Sequence, residues 1–327
     1  MDSLNKIVEG DLVGVEERLK ELTRANVSII PEISQYLMQA GGKRIRPMLY
    51  LLCSRLFDNI SPKRQRLDVG ASIELLHTAT LLHDDIVDSA KIRRGKLAAN
   101  AMFGNQASVL VGDYLLSKAT LILVNIKNLR LLELFSGTAN IMAEGEVAQL
   151  VSKKNAGLSK DEYFDIIWRK TASLMAASAR SAAILAEATN EDEQVLYAFG
   201  KFIGFAFQII DDALDMVADE KTFGKKPFKD LEEGKVTLPI IYALEASSNK
   251  ERNFLESLLN GVNGSALNNH NMAIIQEILK NTKAVENTLQ TAREYIDKAL
   301  SSLSRFQDKP AARALEDLSR FILERKI

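Results

Sequence analysis

Three carboxylates close a largely apolar run: Asp84-Asp85-Ile86-Val87-Asp88 follows residues 75–82. Asp84 and Asp88 stand four apart, so on a helix they share a face, where like charges repel and weaken the helix. A divalent cation removes that penalty. Magnesium suits the pattern, because it takes one or two protein carboxylates and completes its octahedron with water and phosphate oxygens. A solvated acidic helix end would use the same residues. The pattern recurs, however, at Asp211-Asp212-Ala213-Leu214-Asp215, closing the apolar run 202–210. Gln208 lies three residues before Asp211 and seven before Asp215, on the same face and able to donate to a ligand oxygen. Two independent solvated ends would be a coincidence. On facing helices of a bundle the two clusters would line the mouth of a metal-holding cavity.

Cations accompany both clusters. Gly41-Gly42-Lys43-Arg44-Ile45-Arg46-Pro47 places flexible glycines and three cations just before a helix start, where free N–H groups also favour anions. Arg93-Arg94-Gly95 follows the first cluster, Lys170-Thr171 sits in an apolar helical context, and Lys225 and Lys235 follow the second cluster. Each alone reads as a surface charge. Together they resemble a clamp for two polyanions, one met through metal and one by Lys and Arg directly. His77 lies two helical turns before Asp84 on the same face, and spacing suits a core histidine and a phosphate contact equally. His83, His270 and Trp168 carry no such argument, and no Ser/His/Asp or Cys/His set stands out.

The elements that must hold these groups read as helices. Apolar residues recur at three- and four-residue spacing, for instance in 129–150 and 196–210, and strict alternation is essentially absent. Ser159 with Glu162 makes a capping box, opening a helix expected to run through Trp168 to Ala188. Pro47 and Pro62 mark helix starts. The breaks fall at 152–160, 219–236 and 260–270, with amphipathic helices expected over 272–307 and 311–325. The expectation is one all-α domain over 1–327, a large helical bundle. Its 46% hydrophobic and 6% aromatic residues suit a helical core better than a β-rich one. With Lys+Arg 42 against Asp+Glu 43, the charge balance argues against a nucleic-acid partner. The single Cys53 reads as a buried thiol in a reducing compartment. The N-terminus does not read as a signal peptide, and no run approaches 18 uncharged apolar residues, so a cytoplasmic protein without stable membrane insertion is expected.

The chain resembles the trans-prenyltransferase (polyprenyl diphosphate synthase) family. The resemblance runs in order through GGKRIRP at 41–47, ELLHTATLLHDDIVDSAKIRRGK at 74–96, AEGEVAQL at 143–150, KT at 170–171, GFAFQIIDDALD at 204–215 and EGKVTLP at 233–239. Within the family these stretches look most like the bacterial octaprenyl synthases that make quinone side chains. The resemblance implies an isoprenoid-synthase bundle around a central tunnel, acting as a homodimer. It implies that Asp84 and Asp88, with Asp211 opposite and Asp85 and Asp215 assisting, hold Mg2+ on an allylic diphosphate. Arg93, Lys170, Thr171, Gln208, Lys225 and Lys235 would contact that diphosphate, and Lys43, Arg46, His77 and Arg94 would hold isopentenyl diphosphate. Asp84, Asp88, Lys170 and Asp211 would carry catalysis by stabilising charge on the leaving pyrophosphate.

Small side chains at Ala79 and Thr80, about one turn below Asp84, leave a growing tail room to pass, where short-chain relatives carry a bulky aromatic. Phe135 or Met142 would then form a deeper floor, and the product would be long. The alternatives are a medium-chain synthase or one subunit of a heteromeric synthase; a terpene cyclase would lack GGKRIRP. One stretch departs from the family. Where a Gly-Asp pair usually precedes the Asp-Leu after Gly224-Lys225, this chain has Phe228-Lys229.

Overall fold

Three- and four-residue spacing becomes helix throughout the computed structural model, which describes residues 2–59, 61–217, 227–261 and 267–324. The one exception among them is a hairpin of two-residue strands, Ile92–Arg93 and Lys96–Leu97. The all-α expectation stands. The chain divides into two compact units, one of Met1–Asn140, Leu174–Gly200 and Ser302–Leu318, the other of Ile141–Ser173, Lys201–Ser301 and Ser319–Ile327.

In the first unit, α4 (Lys63–Val87) is the central element, burying Val69, Ala71, Ile73, Leu75, Leu76, Ala79 and Leu82. Around it lie α1 (Asp2–Leu22), α2 (Ile29–Gln39), α3 (Ile45–Ser54), the short α5 (Ala99–Phe103) and α6 (Asn105–Ile126). Ion pairs fasten α1. Arg66 donates to Asp11 at 3.0 and 3.1 Å and Arg55 donates to it at 2.7 Å. Burial alone would raise the Asp11 pKa, but the two guanidiniums outweigh it and hold the group below the usual carboxylate value. Arg18 donates to Asp68 at 2.6 Å, and Arg44 bridges Glu16 to the buried Glu74.

Helix α6 is long and apolar enough, by length and composition, to cross a bilayer, but Asp113 and Lys118 interrupt it, so it holds no run of 18 uncharged apolar residues, as expected. It packs along α4, burying Val111, Leu115, Ala119, Ile122 and Leu123, while Leu110 is 67% exposed and Leu121 53%. The first unit also holds α9 (Ser173–Leu185) from Leu174 onward and the start of α10 (Asn190–Val217). Gly200 of α10 meets α9 backbone to backbone: a Cβ there would lie 2.5 Å from the Met175 carbonyl oxygen.

The second unit opens in the last part of α7 (Leu129–Ser152) and continues through α8 (Lys160–Ile167), where the Ser159–Glu162 capping box forms as expected. The expected continuous helix to Ala188 does not form. A π-turn at Trp168–Ala172 interrupts it, and it ends at Leu185. The helix expected over 272–307 is likewise divided into α14 (Asn269–Asn281) and α15 (Ala284–Ser302), with Lys283 in a left-handed conformation between them. Helices α11 (Lys229–Glu232), α12 (Leu238–Ala246) and α13 (Asn249–Gly261) precede them, and α12 packs on α8, α13 and α14. Phe205 links the aromatic rings of this unit, 5.8 Å from Phe164 and 4.9 Å from Tyr295, a spacing that adds to burial. The tail helix α16 spans Pro310–Leu323.

Candidate active site

The GGKRIRP segment is held by its middle arginine. Arg44 takes a left-handed conformation (φ 47°) as the N-cap of α3 and spends its guanidinium on Glu16, Glu74 and the Met38 carbonyl. That anchoring leaves Lys43 exposed and turns Arg46 inward. The Arg46 Nη1 lies 3.1 Å from His77 Nε2. A guanidinium only donates, so Nε2 accepts and the imidazole proton sits on Nδ1. Burial, then the charges of Arg46, Arg94, Arg93 and Arg44, drive the His77 pKa well below its usual value. Arg94, itself left-handed at φ 50°, lays its guanidinium against Gly42, where a Cβ would stand 2.8 Å from Nη1. The missing Cβ at Gly42 leaves room for that approach. Arg46, His77 and Arg94 thus share one donor-rich neighbourhood suited to an anion.

On the same unit, α4 ends inside the first acidic motif, and the Asp88 N–H donates to the Asp84 carbonyl at 2.8 Å. Asp84 and Asp88 are half-buried, whereas Asp85 is fully buried and receives Arg93 Nε at 2.6 Å. Asp85 therefore orients Arg93. Among the described residues, no three His, Cys, Asp or Glu side chains converge as a ready-made metal cage. The donor set nonetheless fits magnesium, a hard ion that uses one or two carboxylates and takes its other ligands from water and phosphate. Ala79 is buried, and the Thr80 hydroxyl donates to the His77 carbonyl at 2.8 Å. Phe135 and Met142 are both buried on α7.

The second unit carries a cleft of about 90 Å³ whose lining includes Tyr163, Lys170, Thr171, Gln208, Asp212 and Lys235. Lys170 and Thr171 stand in the π-turn, a distortion often found where a helix presents functional groups. Gly145 of α7 admits that turn: a Cβ there would lie 2.6 Å from Arg169 Cβ and 2.9 Å from the Lys170 nitrogen. Lys170 Nζ donates to Glu146 and Gln149, each at 2.8 Å. Lys235 Nζ donates to Glu233 at 2.6 Å, and Lys225 lies outside the described residues.

Within the second acidic motif the three aspartates differ. Asp211 is half-buried. Asp212 is fully buried and accepts from Tyr163 Oη at 2.6 Å and Gln208 Nε2 at 2.8 Å. Burial, with Asp230 and Asp211 nearby, pushes its pKa well up against those two hydrogen bonds. Asp215 accepts the backbone N–H groups of Lys229 and Asp230 at 3.2 and 3.1 Å, and burial and Asp230 push its pKa up to about 7. Phe228, at the departure from the family pattern, is fully buried and left-handed (φ 63°), and its N–H donates to the Asp215 carbonyl at 2.9 Å. The Gly that the family usually places here suits that conformation, which a bulky residue adopts only under strain.

Sequence reasoning gave no role to Tyr163, Asp212 or Gly145. Tyr163 stands eight residues before Thr171 across the π-turn, so regular helical spacing does not align the two.

All-helical architecture with two acidic clusters, each accompanied by its own cations, defines the isoprenoid-synthase class. The chain belongs to the polyprenyl synthetase family, whose model matches residues 27–280. It is 37% identical to the octaprenyl diphosphate synthase of Escherichia coli (strain K12) over 325 residues, 99% of each chain. A polyprenyl synthase from Caulobacter crescentus CB15, solved in complex with calcium and isoprenyl diphosphate, superposes with a TM-score of 0.93 at 35% identity, covering 100% of this chain and 98% of that one. A decaprenyl diphosphate synthase from Rhodobacter capsulatus gives 0.93 at 33%, covering 99% and 98%. The chain is a prenyltransferase of polyprenyl diphosphate synthesis.

Proposed function

We propose that this enzyme condenses isopentenyl diphosphate head-to-tail onto an allylic diphosphate of farnesyl or geranylgeranyl type, making a long all-trans polyprenyl diphosphate that supplies quinone side chains. The gathering of Arg46, 3.1 Å from His77, with Arg94 against Gly42 carries the reading, because a donor-rich neighbourhood of this kind suits a diphosphate. In the first unit Lys43, Arg46, His77 and Arg94 hold isopentenyl diphosphate, and Arg93 reaches the allylic diphosphate. In the second, Lys170, Thr171, Gln208, Lys225 and Lys235 bind the allylic diphosphate. Asp84, Asp88 and Asp211, with Asp85 and Asp215 assisting, are the magnesium ligands. Magnesium, when bound, neutralises charge that grows on the departing pyrophosphate.

The side chains do the remaining work. Lys170 and Arg93 steady the leaving pyrophosphate as the allylic C–O bond breaks. The double bond of isopentenyl diphosphate attacks the resulting carbocation, and the pyrophosphate takes the proton then lost. Ala79 and Thr80 leave the tail free to lengthen toward Phe135 or Met142. The whole chain works as one synthase domain in a cytoplasmic homodimer, a second copy covering the apolar face of α6 at Leu110 and Leu121.

Purified protein incubated with magnesium, labelled isopentenyl diphosphate and farnesyl diphosphate should yield a discrete long polyprenyl diphosphate on chromatography, lost with a chelator. Absence of incorporation with any allylic primer would overturn the stand-alone synthase.

A further inference from the structure

The helix end that carries the first acidic motif is built at a cost. Two bonds close α4: the Ala90 N–H donates to the Asp85 carbonyl at 2.8 Å and the Ser89 N–H to the Ile86 carbonyl at 3.1 Å. This paired ending needs a left-handed residue just past the helix, a place usually given to glycine. Here Ser89 fills it at φ 50°, a conformation that a residue with a Cβ adopts only at a cost. The same turn holds Asp84, Asp85 and Asp88, so any fraying there would move all three.

A residue outside the motif fastens this turn. Asn100, in α5, donates from Nδ2 to the Asp85 main-chain carbonyl at 3.1 Å. The reversed amide would set one acceptor against another, so the NH2 group faces the carbonyl. Asp85 is thereby held through its backbone while its carboxylate holds Arg93. The short helix makes a firm base for the bond. Ala98 and Ala99 are buried where it begins, the Ala98 N–H donates to the Lys91 carbonyl at 2.9 Å across the arginine hairpin, and α5 packs on α2, α4 and α6. Asn100 Oδ1 is buried and has no hydrogen-bond partner among the described residues, so the side chain's bond to Asp85 is the one it makes there.

We infer that Asn100 is a positioning residue for the allylic half of the reaction: by fastening the Asp85 carbonyl it holds the last turn of α4, and with it Asp84, Asp88 and Arg93, ready for the allylic diphosphate and its magnesium. The inference rests on the proposed roles of those three residues. Asn100 touches no substrate in this reading, and the isopentenyl-side groups Arg46 and His77 are placed by other contacts.

The test is Asn100→Leu, which roughly keeps the side-chain volume and removes the donor. Farnesyl diphosphate is titrated calorimetrically into the enzyme with magnesium and without isopentenyl diphosphate, so that nothing condenses and binding alone is read. The Kd should rise about five- to tenfold, the size of one lost hydrogen bond, and the magnesium needed for half-saturation should rise with it. In the elongation assay the KM for isopentenyl diphosphate should stay within about twofold. A general loosening of the unit would weaken both substrates alike. Equal weakening of the two, or an unchanged Kd for farnesyl diphosphate, would therefore overturn the inference and leave the synthase reading intact. Wild type that binds neither farnesyl nor geranylgeranyl diphosphate in magnesium would overturn the allylic reading beneath it. Should the Leu variant melt below the assay temperature, Asn100→Ala takes its place with the same expectations.

Discussion

Phe228 makes an uncommon demand on substitution, because its backbone and its side chain pull in opposite directions. Its φ of 63° lies in the left-handed region, which costs a residue with a Cβ about 1–2 kcal/mol. Its ring is fully buried, and removing such a ring costs about 3–5 kcal/mol. Phe228→Ala therefore loses the ring and keeps the strain, and should destabilise the enzyme by about 3–5 kcal/mol. Phe228→Gly loses the same ring but relieves the strain, less about 0.5–1 kcal/mol for glycine's freer unfolded chain. The glycine variant should be the more stable of the two by about 0.5–1 kcal/mol. That order is the reverse of the ordinary one. Leu258, buried inside α13, supplies the control, where Ala should exceed Gly by about 1 kcal/mol. Urea unfolding followed through the lone Trp168, in the same unit as both positions, reads all four variants. An alanine variant at 228 more stable than the glycine variant would refute a strained left-handed residue at that position.

Other perturbations reach the site directly. Asp84→Ala should lower kcat about a thousandfold, or about 4 kcal/mol of transition-state stabilisation, with far-ultraviolet circular dichroism unchanged; a loss under about tenfold would remove Asp84 from the metal ligands. Gly145→Ala sets a methyl group 2.6 Å from Arg169 Cβ, which should cost about 1–3 kcal/mol in stability. By shifting Lys170 and Thr171 it should also cut kcat by about ten- to a hundredfold in the elongation assay, and wild-type kinetics would show that the π-turn has room to spare. His77→Gln tests the depressed imidazole. The unfolded chain takes a proton below about pH 6.5 that the native ring refuses, so this stabilising contribution is present above that pH and is lost as pH falls. The stability of wild type relative to the variant should drop by about 1.4 kcal/mol between about pH 7.5 and 5.5, and parallel pH curves would refute a neutral His77.

Local signals were legible in the sequence and environmental ones were not. The capping box at Ser159 and Glu162 depends on four consecutive residues, and it forms as read. The paired acidic motifs were visible because spacing alone places their outer aspartates on one helix face. Lys43, Arg44 and Arg46 look equivalent in sequence, whereas in the fold Arg44 is spent on Glu16 and Glu74, 28 and 30 residues away. Asp211, Asp212 and Asp215 likewise differ through Tyr163 and the 229–230 backbone, which no spacing rule reaches. The π-turn at Trp168–Ala172 escaped because a single wider turn leaves both flanking helices with normal periodicity. Lys283 ended a helix in a left-handed conformation without the glycine that usually signals one.

The fastening of α1 bears on the order in which the molecule assembles. Its cross-element ion-pair partners Arg44, Arg55, Arg66 and Asp68 all fall before residue 70, so the closing loops are short compared with the length of the chain. Short closures lose little chain entropy and tend to form early. The second acidic motif, at 211–215, can only follow once α10 exists. The expected history is a nascent cluster of α1, α3 and α4, with Arg44, Arg46 and His77 already gathered, well before the other motif is placed. In pulsed hydrogen exchange during refolding, amides of α1 and α4 should gain protection in an earlier phase than those of α10, and simultaneous protection would show instead that assembly is concerted.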